Sequence, residues 1–145
     1  MKKPFSALAT LRDLRSQQTQ QLQQRVSYQR GLCQRYRNNI QGLERLVTYQ
    51  VPATTHLQRD NQQNYRLTLY KMLELQKCEL EVAEGGLSRI QQELMQAARD
   101  EKVLDHFIQH KLLRWQQHLA KQEQKIQDGL AAQGFWQGKM QALNN

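Results

Sequence analysis

Proline is nearly missing from this 145-residue chain, which has only Pro4 and Pro52. An interior proline costs a helix about 3 kcal/mol, so a chain with two leaves long helices uninterrupted and marks position 52 as a break. Cysteine is equally scarce. Cys33 and Cys78 are too few for a disulfide framework and are expected as free thiols of a reducing compartment. Aromatic residues make up 7%, hydrophobic residues 39%, and the mean hydropathy is -0.85. Such a chain is poor material for a thick globular core, but it suits a thin coiled coil, which asks for two apolar positions in seven. No run approaches the ~18 consecutive apolar residues that would cross a bilayer. The start, Met1-Lys-Lys-Pro-Phe-Ser6, is basic but lacks the apolar centre of a signal peptide.

The marks of chemistry are sparse as well. No glycine-rich phosphate loop follows a strand. Gly85-Gly86 lies inside a leucine repeat instead. His106 and His110 are four apart and share a helix face, which is half of a metal site. No HExxH pattern supplies the rest, and His118 lies too far along to share an ion. Cys33 falls on an apolar seam, where a thiol packs. A two-helix scaffold offers no pocket for a nucleophile with its base. The expectation is a protein that is not an enzyme and carries no cofactor and no metal.

What is present is a repeat. From Leu69 the spacing runs four then three without a break: Leu69, Leu73, Gln76, Leu80, Ala83, Leu87, Ile90, Leu94, Ala97, Glu101, Leu104, Ile108, Lys111, Trp115. This heptad seam predicts one extended helix lying against a partner helix. The 26 glutamines are good helix formers that line an exposed face without charge. The interleaved Arg and Leu at helical spacing argue against a prion-like segment. A first helix is expected to start near Ser6, as its cap, with Pro4 just outside. Its stripe reads Leu8, Leu11, Arg15, Gln18, Leu22, then Val26, Gln29, Cys33, Tyr36, Ile40, Leu43, Val47, Gln50. The step through Leu22 to Val26 is a stutter that locally unwinds the supercoil.

Pro52 ends this helix, with Val51 pushed toward extended geometry. The connection is short, so the second helix must return antiparallel, capped by Thr55 or Asp60. The predicted fold is all-α: an antiparallel two-helix coiled-coil hairpin in which the second helix is longer. It forms a single domain over 1–145, with helix 1 about 6–50, a turn about 51–57, helix 2 about 58–130 and a flexible tail about 131–145. Gly129, Gly134 and Gly138 argue for that tail. The seam keeps its phase through Ala83, Leu87 and Ile90, so helix 2 is expected to pass Gly85-Gly86 with at most a bend. Folded about position 54, Leu8 faces a residue near 100, and the stripe beyond about 105 has no partner within the chain. Leu104, Ile108, Trp115, Leu119, Ile126 and Leu130 then form an unpaired apolar stripe, the mark of an interface.

The net charge of +8 is uneven. Residues 1–50 hold nine Lys/Arg against Asp13 and Glu44, whereas residues 51–100 hold six against seven. A cationic surface fits an anionic partner. The arginines Arg25, Arg30, Arg35, Arg37 and Arg45 are spread around the helix rather than clustered as in a zipper-linked basic region, so no nucleic acid is expected. Direct membrane insertion is not expected either, because the apolar face is used in the hairpin.

The start Leu8-Ala-Thr-Leu11-Arg-Asp-Leu14, the first-helix end Leu43-Glu-Arg-Leu46-Val-Thr-Tyr49-Gln50, the opening Asn64-Tyr65 before the leucine ladder and the later Lys111-Leu-Leu-Arg-Trp115 with Lys121 and Lys125 resemble the flagellar export protein FliJ family. The resemblance covers nearly the whole chain. Stalk proteins of virulence type III secretion share the architecture. It implies a cytoplasmic stalk, peripheral at the inner membrane, similar to the rotor stalk of rotary ATPases. Its terminal end would enter a hexameric, FliI-like export ATPase, promote its assembly and couple it to a FlhA-like membrane export gate. Matching from Asn64-Tyr65 places Thr68, Met72, Leu75 and Glu79 at the gate-contact positions, where Thr68 and Glu79 depart from the family's Phe and His types. The cationic end adds Lys2, Lys3, Arg12, Arg15, Lys111 and Arg114, with Leu104, Ile108, Trp115 and Leu119, as expected ring contacts. The competing readings are an export chaperone or escort that binds substrate chaperones, and a homodimeric structural coiled coil.

Overall fold

The computed structural model describes residues 5–49 and 51–144. It is an all-α antiparallel hairpin of two helices, α1 (Ser6–Thr48) and the longer α2 (His56–Leu143). The chain forms two compact units, Asp13–Glu101 and a second built from Met1–Arg12 with Lys102–Asn145.

The helix ends follow local chemistry. The Phe5 carbonyl accepts from Ala9 N at 2.8 Å, so Phe5 holds the cap position in place of Ser6, and Ser6 is the first helical residue, one step earlier than a Ser6 cap would give. At the other end of α1, Thr48 donates its hydroxyl to Arg45 O at 3.0 Å. The helix stops there because Pro52 forbids continuation and disfavours helical geometry just before it. Helix α2 opens with a capping box, in which Gln58 N donates to Thr55 Oγ1 at 3.2 Å while Gln58 Oε1 accepts from Thr55 N at 3.4 Å and Thr54 N at 3.0 Å. Thr55, rather than Asp60, is thus the cap, and its Thr-x-x-Gln spacing satisfies orphan amides from both sides.

Within Asp13–Glu101 the seam is nearly the one the spacing predicts. Val26, Cys33, Leu69, Leu73 and Ala83 are buried, and Leu22, Gln29, Tyr36, Ile40, Leu43, Val47, Gln76, Leu80, Leu87, Ile90, Leu94 and Ala97 are half-buried. Cys33 is fully enclosed and Cys78 exposed. One stretch differs. Arg15 and Gln18 are exposed, and Ser16 and Thr19 take their places inside. Burying the Arg15 charge would be costly, whereas Thr19 keeps its hydroxyl satisfied by donating to Arg15 O at 3.0 Å. The seam then runs through Thr19, Leu22 and Val26 in steps of three and four, and the stutter placed at Leu22 is not needed.

Polar contacts lock the pairing. Gln29 Nε2 donates to Ala83 O at 2.9 Å, and Asn39 Nδ2 donates to Gln76 Oε1 at 3.3 Å. Arg37 meets Glu84 at 3.0 Å and Arg25 meets Glu93 at 3.7 Å. Both ion pairs are about half exposed, and such pairs contribute only ~0–1 kcal/mol. The midpoints of these four pairings fall between about residues 56 and 61, not at 54. The connector fits this register: Gln62 Nε2 donates to Val51 O at 2.6 Å, which ties the start of the connector to the second turn of α2.

Helix α2 passes Gly85 and Gly86 unbroken. A Cβ on Gly85 would meet nothing within 4 Å, whereas one on Gly86 would come within 3.1 Å of Gln29 Nε2. Gly86 therefore makes room for the amide that bridges to Ala83.

In the unit Met1–Arg12 with Lys102–Asn145, Phe5, Leu8, Leu104, Asp105 and Ile108 are half-buried. The Phe5 ring meets Trp115 edge-on, with centroids 6.4 Å apart at 78°. The chain's own partner therefore reaches beyond residue 105: within this unit Phe5 meets Trp115, and Leu8 and Ile108 are both half-buried. From Lys111 every described residue is exposed. The helix continues through Gly129, Gly134 and Gly138 to Leu143, past the predicted end near 130. The residues between and just after these glycines include Ala131, Ala132, Gln133, Gln137, Lys139 and Met140, mostly strong helix formers.

Candidate interaction surfaces

Two surfaces carry the residues that the sequence singles out. The first lies on α2 in the unit Asp13–Glu101. Thr68, Met72, Leu75 and Glu79 are all exposed, Met72 at 48% and Leu75 at 60%. Their spacing of four, three and four puts them on one face, and the Thr68 hydroxyl is occupied with Asn64 O at 3.0 Å. The same spacing adds Tyr65 at one end and Val82 at the other, both exposed. This gives six positions over about five turns, four of them large and apolar or aromatic. Neither flanking residue is in the set expected from the resemblance, although the three-four spacing alone would have found both.

Met72 also lines an open groove of about 370 Å³ between the helices, with Gly42, Leu43 and Leu46 of α1 on the other side. Leu46 continues into a smaller cavity of about 70 Å³ with Tyr49, Val51 and Tyr65. The exposed α2 face is thus continuous with apolar surface contributed by α1, which reading the α2 spacing by itself does not reveal.

The second surface lies on α2 from Lys111 onward. Lys111, Arg114, Trp115 and Leu119 are exposed, whereas Leu104 and Ile108 are half-buried. Arg12 and Arg15 are exposed on α1. Lys2 and Lys3 lie outside the described residues. Because α2 stays helical to Leu143, the three-four spacing extends over Leu112, Trp115, Leu119, Gln122, Ile126, Gly129, Gln133, Trp136, Met140 and Leu143. Seven of these ten are apolar, which is the density of a coiled-coil seam, and apart from Trp115, which meets Phe5, they stand open to solvent. Trp136, Met140 and Leu143 were missed because the glycines had marked the tail as non-helical, and Leu112 because the stripe was read through its neighbour Lys111. Cations sit beside aromatic rings here: Lys111 Nζ lies 5.1 Å from the Phe107 centroid, and Lys139 Nζ lies 5.3 Å from Phe135 and 5.8 Å from Trp136.

His106 and His110 are exposed, and His118 pairs with Gln122 at 3.2 Å beside Trp115. Among the described residues no group of three or more His, Cys, Asp or Glu is placed to hold a metal ion, and no helix is long and apolar enough to cross a membrane. The grooves are open channels between two helices, suited to a macromolecular partner more than to a small substrate.

No curated protein sequence and no solved structure matches the chain significantly. A family model does: residues 4–140 match the flagellar FliJ protein model, and the chain, two helices carrying two unpartnered apolar faces, belongs to that family.

Proposed function

We propose that this member of the flagellar export apparatus is a non-enzymatic central stalk. Its terminal end enters the pore of the hexameric export ATPase and promotes hexamer assembly. The face at Thr68, Met72, Leu75 and Glu79 engages the membrane export gate, so the chain couples the two and is held at the cytoplasmic face of the membrane through them. The observation that carries the reading is the exposed seam from Leu112 to Leu143 on α2. Trp115 meets Phe5, but the other six large apolar residues at heptad spacing are exposed, which a helix in water does not sustain without a partner.

Charge favours an acidic lumen over a second copy of the chain. Residues 1–12 and 102–145 hold nine Lys/Arg against Asp105, Glu123 and Asp128, so two copies would bring like charge against like. Ring contacts of this kind steer docking and set its rate. Substrate chaperones would meet the same gate-facing surface as secondary partners.

The test is to mix the purified chain with its cognate export ATPase and follow hexamer formation and ATP turnover. Both should rise, and removal of residues 111–145 should abolish the rise. Full stimulation by the truncated chain, or none by the whole chain, overturns the stalk reading.

A further inference from the structure

The groove between α1 and α2 has a feature that hairpin packing does not explain. Gly42 lies at its floor, yet a Cβ there would meet nothing within 4 Å. None of the described glycines has a positive φ, so the backbone does not demand glycine. A helix-interior glycine weakens the helix, and Gly42 returns nothing within the hairpin. Its effect is to keep open a groove of about 370 Å³ whose walls are Leu43, Leu46 and Met72 and whose rim is amide, from Asn38, Asn39 and Gln76. Leu46 and Met72 are each 48% exposed.

Charge distinguishes this end of the hairpin. Residues 35–75 hold six Lys/Arg against three Asp/Glu, and residues 76–101 hold three against six. Arg37 is already engaged with Glu84. Arg35, Arg45 and Lys71 are exposed on the same stretch.

We infer that this groove is an anchor pocket for one bulky apolar side chain presented by an acidic segment of a partner, and that Gly42 of α1 is the residue that sets its size. The inference deepens the proposed gate contact and rests on it: Met72 belongs to both, and α1 supplies half of the site. The rim amides offer donors and acceptors to the backbone of the incoming segment, the walls take its apolar anchor, and the surrounding cations select acidic flanks. Anchors of this kind dominate an interface while their surroundings exclude water.

The experiment measures binding of the full chain to the purified cytoplasmic region of the cognate export gate, using Gly42→Leu, Gly42→Ala, Gly31→Leu, Met72→Glu and the charge reversal Arg45→Glu/Lys71→Glu. Gly31 is an equally open position on α1 and controls for helix propensity. Gly42→Leu and Met72→Glu should each weaken binding more than tenfold, whereas Gly42→Ala and Gly31→Leu should leave it within twofold. The charge reversal should weaken binding several-fold at low salt and less at high salt. Loss with Met72→Glu but full binding by Gly42→Leu overturns the pocket and leaves the gate contact standing. Full binding by the charge reversal overturns the acidic occupant. No binding by the unaltered chain, or full binding by Met72→Glu, overturns the gate contact together with the pocket.

Discussion

Gly85 and Gly86 are neighbours in one helix with one propensity, yet the hairpin treats them differently. Replacing glycine by alanine inside a helix stabilises by about 0.5–1 kcal/mol through helix propensity and the lost freedom of the unfolded chain. Gly85→Ala should show that gain in full, since its new methyl meets nothing within 4 Å. At Gly86 the methyl arrives 3.1 Å from Gln29 Nε2 and 3.8 Å from its Cδ. The amide must then move away from Ala83 O, which it holds at 2.9 Å in a partly buried site. A net hydrogen bond of this type is worth ~1 kcal/mol. The loss cancels the gain, and Gly86→Ala should be close to neutral. A gap of about 1 kcal/mol between the variants corresponds to roughly 2–4 °C in melting temperature for a chain of this length. Urea denaturation followed by helical circular dichroism measures it, provided the slopes agree. In a Gln29→Ala background the obstacle is gone and the two substitutions should stabilise equally. Equal stabilisation in the unaltered background, or a gap that survives Gln29→Ala, would refute the role given to this bridge.

Two further outcomes follow from burial. Leu73→Ala should cost about 2–3 kcal/mol, at the low end for buried leucines because a thin seam can partly collapse, whereas Leu119→Ala, 41% exposed, should stay within about 0.5 kcal/mol. Urea midpoints compare the two, and a similar cost for both would mean that the outer part of α2 has an intramolecular partner. With a thiol reagent such as Ellman's, Cys78 should react at once in the folded protein and Cys33, fully enclosed, only as fast as the hairpin opens. Two fast thiols would show that the seam at Cys33 is open in solution.

Most of the hairpin was legible because a seam is a one-dimensional object. Position along the helix decides burial, so counting in fours and threes recovers every buried residue of α2 from Leu69 to Leu104 and all the half-buried ones except Gly86, Gln91 and Asp100. Counting failed where side-chain chemistry competes with spacing. Arg15 and Gln18 stand at plausible seam positions, but a threonine that can bond its own backbone enters more cheaply than a guanidinium, and the seam shifted by one residue to Ser16 and Thr19. It failed again at the connector. Nothing in Val51-Pro-Ala-Thr-Thr55 says that Gln62 will reach back to the Val51 carbonyl, or that the pairing will centre several residues past 54.

The candidate surfaces were half legible for the same reason. A face on one helix is periodic and can be read from its own sequence, as with Met72 and Leu75. A groove between two helices depends on register, and register was the quantity the sequence left open. Gly42 illustrates the consequence. Read along α1 it is a helix-weakening residue off the seam, with no purpose. Placed opposite Met72 by pairings such as Asn39 with Gln76, it becomes the open floor of an apolar groove. The expected gate-contact set stops at α2 because it was read from one helix. The physical surface includes Leu46 and Tyr49 of α1 as well. Any partner that buries Met72 must also exclude water from Leu46 beside it, so substitutions on α1 should weaken that contact as strongly as those on α2.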